Sequence, residues 1–491
     1  MTTAASKFVI ENGGELRTTA AVTNGSAIKF EGEQGGIINN AADFISDRAM
    51  SGTKLTKKGS GWMKLNTSNT ALDKMVITAG TVQCINANVP AKTVEYQGGT
   101  LRENTGTSYA INIPKGKTGS WYMANRSTYT NKITGEGTLT AYCVTEKGSN
   151  YYATRTPVQC NFSEFEGILI ATSSLDDPAV LRFTLNTANG MPKGTMNIGE
   201  KVEIQNSGKT FRIGKVIGTG ALGGSCTFSN GTSVGANTWQ VGNDDNWTTS
   251  IKVVSNANFV KVGTGKITWN GANTNTGTTT ISEGELCIGT STKLGTGRLT
   301  INENGMLTGN NSKAKALGNS AYVVDGTVRP GTYEGAVLGT IYFGGKNVTF
   351  NEKGVLSISA NKCMTSSSNG CTGISNIGSL VINGTILVSP TKTNTLQVGD
   401  SIRLWTDVAN VSGTPKVESV EGLEWDDSRL ISEGLLIVKS ISTSIIIPSN
   451  ASTSSHNIYD LRGRLVRKDA TSTDGLKPGI YVIEGKKWVV R

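Results

Sequence analysis

The feature that most constrains this chain is a stretch that occurs twice without a gap. LTKKGSGWMKLNTSNTALDKMVITAGTV, Leu55 to Val82, lies over FVKVGTGKITWNGANTNTGTTTISEGEL, Phe259 to Leu286, at one constant offset. Gly59, Gly61, Asn66, Asn69, Ile77 and Gly80 fall on Gly263, Gly265, Asn270, Asn273, Ile281 and Gly284. In KITW and TTISEGELCI the apolar residues recur at spacing two, the period of a strand with one buried face and not of a helix. Gly263, Gly265, Gly277 and Gly284 sit where such a chain must turn. A second pair is VIENGGELR from Val9 and VEYQGGTLR from Val94, and looser echoes follow in ITGEGTLT, VIGTGALGG, LGTGRLTI and NEKGVLSI at irregular spacing.

A short strand with one polar and one β-branched face cannot bury the latter alone. Stacking each glycine-punctuated coil on the previous one solves this, with Val, Ile and Leu in internal columns and backbone groups paired between rungs. Asn and Thr at the turns, as in NTSNT and NGANTNT, then ladder from rung to rung. The expectation is an all-β chain, a right-handed parallel β-helix with Leu16, Leu65, Ile77, Ile267, Ile281 and Leu286 pointing inward. Composition agrees: the 491 residues include 61 Gly and 10 Pro, with 6% aromatic and 17% charged residues. That is too little charge for a disordered chain, and the apolar helices of an α/β enzyme are missing.

No apolar run reaches the length of a membrane-spanning helix. The net charge of +10 comes from 47 Lys and Arg spread singly or in pairs such as Lys57–Lys58 and Lys486–Lys487. Without a basic stripe, nucleic acid is not an expected partner, whereas anionic glycans or lipopolysaccharide suit a cationic surface. The seven cysteines, Cys84, Cys143, Cys160, Cys226, Cys287, Cys363 and Cys371, show no zinc-ligand spacing. Cys84 and Cys287 fall at apolar strand positions, as small buried hydrophobes, and Cys363 and Cys371 flank a loop that a local disulfide would close. MTTAASKFVIENGG has no basic segment followed by an apolar core, so the chain is expected to be a truncated piece without its signal peptide.

GTGKITWNGANTNTGTTTISEGELCIG resembles the autotransporter-associated β-strand repeat of bacterial passenger domains: a GSG-type turn, an alternating strand, an N-T-x-G turn, TTI and a G-x-L strand. The later piece from Gly318 to Ile358, with Arg329-Pro330-Gly331 at a turn and GTIYF as the next strand, is similar to the segment that follows such repeats. The resemblance implies a solenoid over residues 1–375, its stretch 104–256 interrupted by inserted loops, and a β-rich end module over 376–445. A linker, 446–456, leads to a tail, 457–491, in which YDLxGR, LKPGIY and GKKxxxR resemble the C-terminal sorting domain of type IX secretion. The matching residues are Tyr459, Asp460, Leu461, Gly463, Arg464, Gly479, Ile480, Tyr481 and Lys486. This implies a small β-sandwich tail, export through the type IX machinery, and a place outside a Gram-negative cell or on its outer-membrane surface.

Candidate chemistry is sparse. His456, the single histidine, lies in SNASTSSHN and gives no catalytic triad a base. Asp176–Asp177, Asp244–Asp245 and Asp426–Asp427 are paired acids, but neighbours on a strand face opposite ways, and Asp-rich turns are routine. GTGALGG from Gly218 lacks the GK[ST] of a phosphate loop. The eight tryptophans read as packing residues. The expectation is a non-enzymatic passenger, stalk or adhesin-like rod without catalytic, cofactor or metal residues. The alternative is a β-helix carbohydrate-active enzyme, a polysaccharide lyase or hydrolase, or an accessory fragment of one; a lyase needs carboxylates and a Lys or Arg converging on adjacent rungs.

Overall fold

Strand alternation and glycine turns give parallel rungs. The structure, a computed structural model, describes residues 7–67, 71–84, 89, 91–103, 108–123, 128–143, 155–172, 181–185, 187–206, 208–224, 236–289, 292–331, 339–360, 372–390, 396–419, 422–441, 456–460, 464–470, 476–477, 479–483 and 486–490. One column of parallel pairs runs from Ala27–Glu31 through Met50–Lys58, Ala71–Ile77, Ala91–Tyr96 and Ala110–Ile113 to Lys132–Gly135. Beside it runs a second, from Trp62–Leu65 through Thr81–Cys84, Thr100–Glu103, Thr118–Met123 and Thr138–Cys143 to Ile168–Thr172. Each coil gives one strand to each column, so the chain is a parallel β-helix. Thr279–Ile288 rounds a corner unbroken, its first part pairing with Asn258–Lys261 and its last with Lys266–Trp269. Such strands join the hydrogen-bond networks of two faces without making a closed barrel, since their partners are the rungs above and below.

Alternation decides what faces the lumen. Ile77, Ile267, Ile281 and Leu286 are fully buried and Leu65 nearly so. Leu16 is only partly buried, because Gly14–Thr18 pairs on one side alone, with Gly36–Asn40. The buried residues form one continuous cluster from Ile28 to Leu436. Burial of each such aliphatic side chain contributes roughly 1.5–3 kcal/mol.

The turns explain the repeated glycines. Gly80 and Gly284 have φ of 66° and 69°, and a Cβ there would lie 2.5 and 2.4 Å from the carbonyl oxygens of Gly59 and Gly263 on the preceding rung. Only glycine fits both the left-handed backbone and that approach. Beside each turn a lysine is buried. Lys57 Nζ donates to the carbonyls of Lys58 (2.7 Å), Gly59 (2.8 Å) and Ala79 (3.3 Å). Lys261 Nζ repeats this with Val262 (3.1 Å), Gly263 (2.6 Å) and Glu283 (2.9 Å). Burial pulls both ammonium groups down to about 8, while three acceptors matched to three N–H donors oppose that fall.

Asparagines tie the turns together. Asn275 Nδ2 donates to the Ala257 carbonyl one rung back (3.0 Å), and Asn273 Oδ1 accepts from the Val253 backbone N–H (2.9 Å) and Trp269 Nε1 (3.1 Å). In the middle of the rod the pairing persists over longer sequence steps. Leu139 meets Leu169 and Thr210 meets Thr238, whereas Thr81 meets Trp62 and Thr100.

Parallel stacking continues beyond residue 375. Gly373–Ile382 pairs with Trp405–Ser412, and Thr385–Pro390 with Lys416–Ser419. The segment that the sequence sets apart as an end module therefore contributes to the rod before it closes it. Closure is antiparallel: Leu435–Ile441 lies between Ser401–Arg403 and Leu423–Asp426, after the short helix Leu430–Glu433. The tail forms its own four-stranded antiparallel sheet, in the order Leu465–Ala470, His456–Asp460, Gly479–Ile483, Lys486–Val490. Its small core of Ile458, Ala470 and Ile483 is separate from that of the rod.

Candidate functional site

In the second column, strands whose even-numbered members face outward carry a row unlike the Thr and Ser around it. In Trp62–Leu65 the inward residues are Met63 and Leu65, which leaves Trp62 and Lys64 outside. Arg102 faces outward between the buried Leu101 and Glu103, and Tyr122 between the buried Trp121 and Met123. Register then aligns Gln83, Arg102, Tyr122 and Tyr142 on successive rungs. Arg102 Cζ stands 5.4 Å from the ring centroid of Trp62 and 4.7 Å from that of Tyr122. The rings of Tyr122 and Tyr142 stack 4.1 Å apart at 10°. Lys64 Nζ lies 5.8 Å from the Trp62 ring and 2.7 Å from Asp43 Oδ2.

These groups spend their faces on one another and turn their edges to solvent. The row thus offers phenol hydroxyls and guanidinium N–H groups instead of a flat ring platform. Burial, with Tyr142 alongside, raises the Tyr122 phenol above its ordinary range, so its hydroxyl keeps its proton at neutral pH. Such an edge presents hydrogen-bonding groups along the rod axis, with about 4.8 Å between successive strands.

Behind the row lies a buried polar cluster. The Glu103 carboxylate accepts hydrogen bonds from the Tyr109 hydroxyl and from Trp121 Nε1 (2.6 Å). Trp121 packs edge-on against Tyr129, with centroids 5.1 Å apart. Burial pushes the Tyr109 phenol well up, and likewise the thiols of Cys84 and Cys160, which are free and unreactive in that state.

A charged cluster marks the later rungs of the same face. Glu285 is 3.2 Å from Lys266 Nζ and 4.0 Å from an Arg329 nitrogen, and accepts from Thr308 Oγ1 at 2.5 Å. One carboxylate and two cations meet there. Among the described residues, no three His, Cys, Asp or Glu side chains come together as a metal site would need.

The paired acids act as turn residues where they are described. Asp244 accepts from the Thr264 backbone N–H (3.0 Å) and hydroxyl (2.7 Å) on the next rung, and these bonds lower its pKa. Asp426 accepts from the Ser428 N–H at 3.0 Å, which lowers its own. Asp176 and Asp177, and Cys226, Cys363 and Cys371 with the proposed disulfide, lie outside the described residues. Cys287 is buried, but it sits between the core residues Leu286 and Ile288 rather than among them.

The sorting-motif positions come partly together. Asp460 and Arg464 pair closely, with Arg464 Nε donating to Asp460 Oδ2 (2.8 Å), the Arg464 N–H to Asp460 Oδ1 (3.0 Å), and the Asp460 N–H to the Arg464 carbonyl (2.9 Å). Tyr481 pairs in register with Asp460, next to Tyr459 opposite Val482, and its hydroxyl donates to the Lys477 carbonyl at 2.9 Å. Gly479, Ile480 and Lys486 lie on the adjoining strands, His456 starts the first strand of this sheet, and Leu461 and Gly463 fall outside the described residues.

Reading every tryptophan as packing holds for Trp121, Trp239 and Trp269, which are fully buried, and fails at Trp62. The signal was present: in WMKL, period two puts Trp62 opposite Met63. No protein-family model matches the chain, and no curated protein matches it.

Proposed function

We propose that the chain is a non-enzymatic β-helical rod, secreted or held at a bacterial cell surface, that binds glycans along the outer row from Trp62 to Tyr142. The observation that carries this reading is the Trp62–Arg102–Tyr122–Tyr142 row, an outward guanidinium in contact with two rings and a stacked pair of phenols on successive rungs. A stiff rod supports such a role, since it fixes its side chains at regular intervals and loses little entropy on binding an extended ligand. A glycan array probed with the wild-type chain and with Tyr122→Ala/Tyr142→Ala tests it. Binding that vanishes in the folded double variant is the expected result, and undiminished binding would remove the row from consideration.

The tail is the export element in this reading. The Asp460–Arg464 pair, with Tyr481 in register opposite Asp460, gives a compact recognition feature. Grafted onto a periplasmic reporter in a type IX host, residues 457–491 should carry it to the surface, while a reporter retained in the periplasm would defeat the assignment. A second reading, a polysaccharide lyase or hydrolase, draws on the convergence of Lys266, Glu285 and Arg329 on adjacent rungs. Polysaccharide turnover that Glu285→Gln abolishes would establish it.

A further inference from the structure

We infer that the glycan on this row is an acidic one, and that Arg102 selects it by forking onto a sugar carboxylate. This rests on the glycan-binding reading above and adds the chemical class of the ligand. The observation is the state of the Arg102 guanidinium. Trp62, two strands before it, and Tyr122, on the strand after it, supply its ring contacts. Among the described residues it makes no hydrogen bond and no ion pair. Nearby outward cations are committed: Lys64, two strands earlier, to Asp43 at 2.7 Å, and Lys74, in the adjoining column, to Glu95 at 2.7 Å. Glu103, the next residue, faces the lumen, where Tyr109 and Trp121 donate to it.

A guanidinium held between rings keeps its N–H groups in its own plane, with little conformational freedom left to lose. That arrangement suits a planar oxyanion taken in two parallel hydrogen bonds. The hydroxyls of Tyr122 and Tyr142, one and two strands further on, then meet the hydroxyls of the following sugar residues. An extended chain along the rod axis places carboxylate and hydroxyls in that order, and the overall +10 charge of the protein favours its approach.

The test uses polygalacturonate and its fully methyl-esterified form, which share a backbone and differ in charge. Titration calorimetry at low salt with the full chain should show the acid bound about tenfold or more tightly than the ester, as charge-assisted hydrogen bonds imply. Arg102→Gln should bring acid and ester to parity. Arg102→Lys, which keeps the charge and loses the fork, should retain part of the preference and guards against misfolding of the first variant. Equal binding of acid and ester by the wild type, or an acid preference that survives Arg102→Gln, would overturn the inference and leave the glycan-binding row standing. Failure of the wild type to bind either polymer would overturn the inference, and absence of binding on the glycan array as well would overturn the reading it rests on.

Discussion

The two copies of the repeat are alike inside and at their turns, and unlike outside. Met63, Leu65, Ile77, Val82 and Cys84 occupy lumen positions that Ile267, Trp269, Ile281, Leu286 and Ile288 fill in the later copy, and all ten are buried. Leu65 and Leu55 correspond to Trp269 and Phe259, whose rings pack 4.7 Å apart. Lys57 and Lys261 cap equivalent turn carbonyls. On the outer face, Trp62 gives way to Lys266, Lys64 to Thr268, Thr81 to Glu285 and Gln83 to Cys287. Stacking constrains what touches the next rung and leaves the solvent side free. Function is therefore to be sought where the copies differ.

Four experiments bear on this comparison. The largest effect is expected from Lys57→Met or Lys261→Met, which keep the buried stem and strand three carbonyls, at a cost on the order of 3 kcal/mol in each copy by denaturant titration. A large loss in one copy alone would break the equivalence of the two turns. Next come Ile77→Ala and Ile281→Ala, each expected to lose about 2–4 kcal/mol through lost burial and a cavity. A negligible loss would contradict the assigned rung register.

A smaller effect should appear with pH. Folding lowers the pKa of Lys57 and Lys261 from 10.5 to about 8, so between those values the unfolded chain binds more protons and stability rises with pH. The rise should be on the order of 1 kcal/mol, because the carbonyl cradle opposes the shift, and it should be absent from the Lys57→Met/Lys261→Met double variant. A flat profile in the wild type would mean that the cradle holds the ammonium fully charged. The smallest change in stability is expected from Trp62→Lys, which brings the outer face of the first copy toward that of the second. Unfolding should move by about 0.5 kcal/mol at most. A shift as large as that of a lumen variant would make the row a packing element and end its claim to bind ligand.

Much of the fold was legible because glycine and period-two alternation are local signals. Gly59, Gly80 and Ile77 could be matched to Gly263, Gly284 and Ile281 without coordinates, and all lie in equivalent places. The outer row was hidden for a different reason. Alternation puts Trp62, Arg102, Tyr122 and Tyr142 on the solvent side, yet only the register of five successive rungs brings them into contact. The buried Lys57 and Lys261 were also missed, although they coincide in the alignment of the two copies, because a lysine on a strand is ordinarily solvated.

By itself the sequence determined that this chain must stack. Its short alternating strands and close-approach glycines have no other way to bury their apolar faces and pair their backbone groups. Tertiary structure alone decided which outward side chains share a column, how far the rungs continue past residue 375, and that Glu103 turns inward to Tyr109 and Trp121. Each depends on how many residues leave the coil between one strand and the next, and stacking geometry, not local propensity, sets that register.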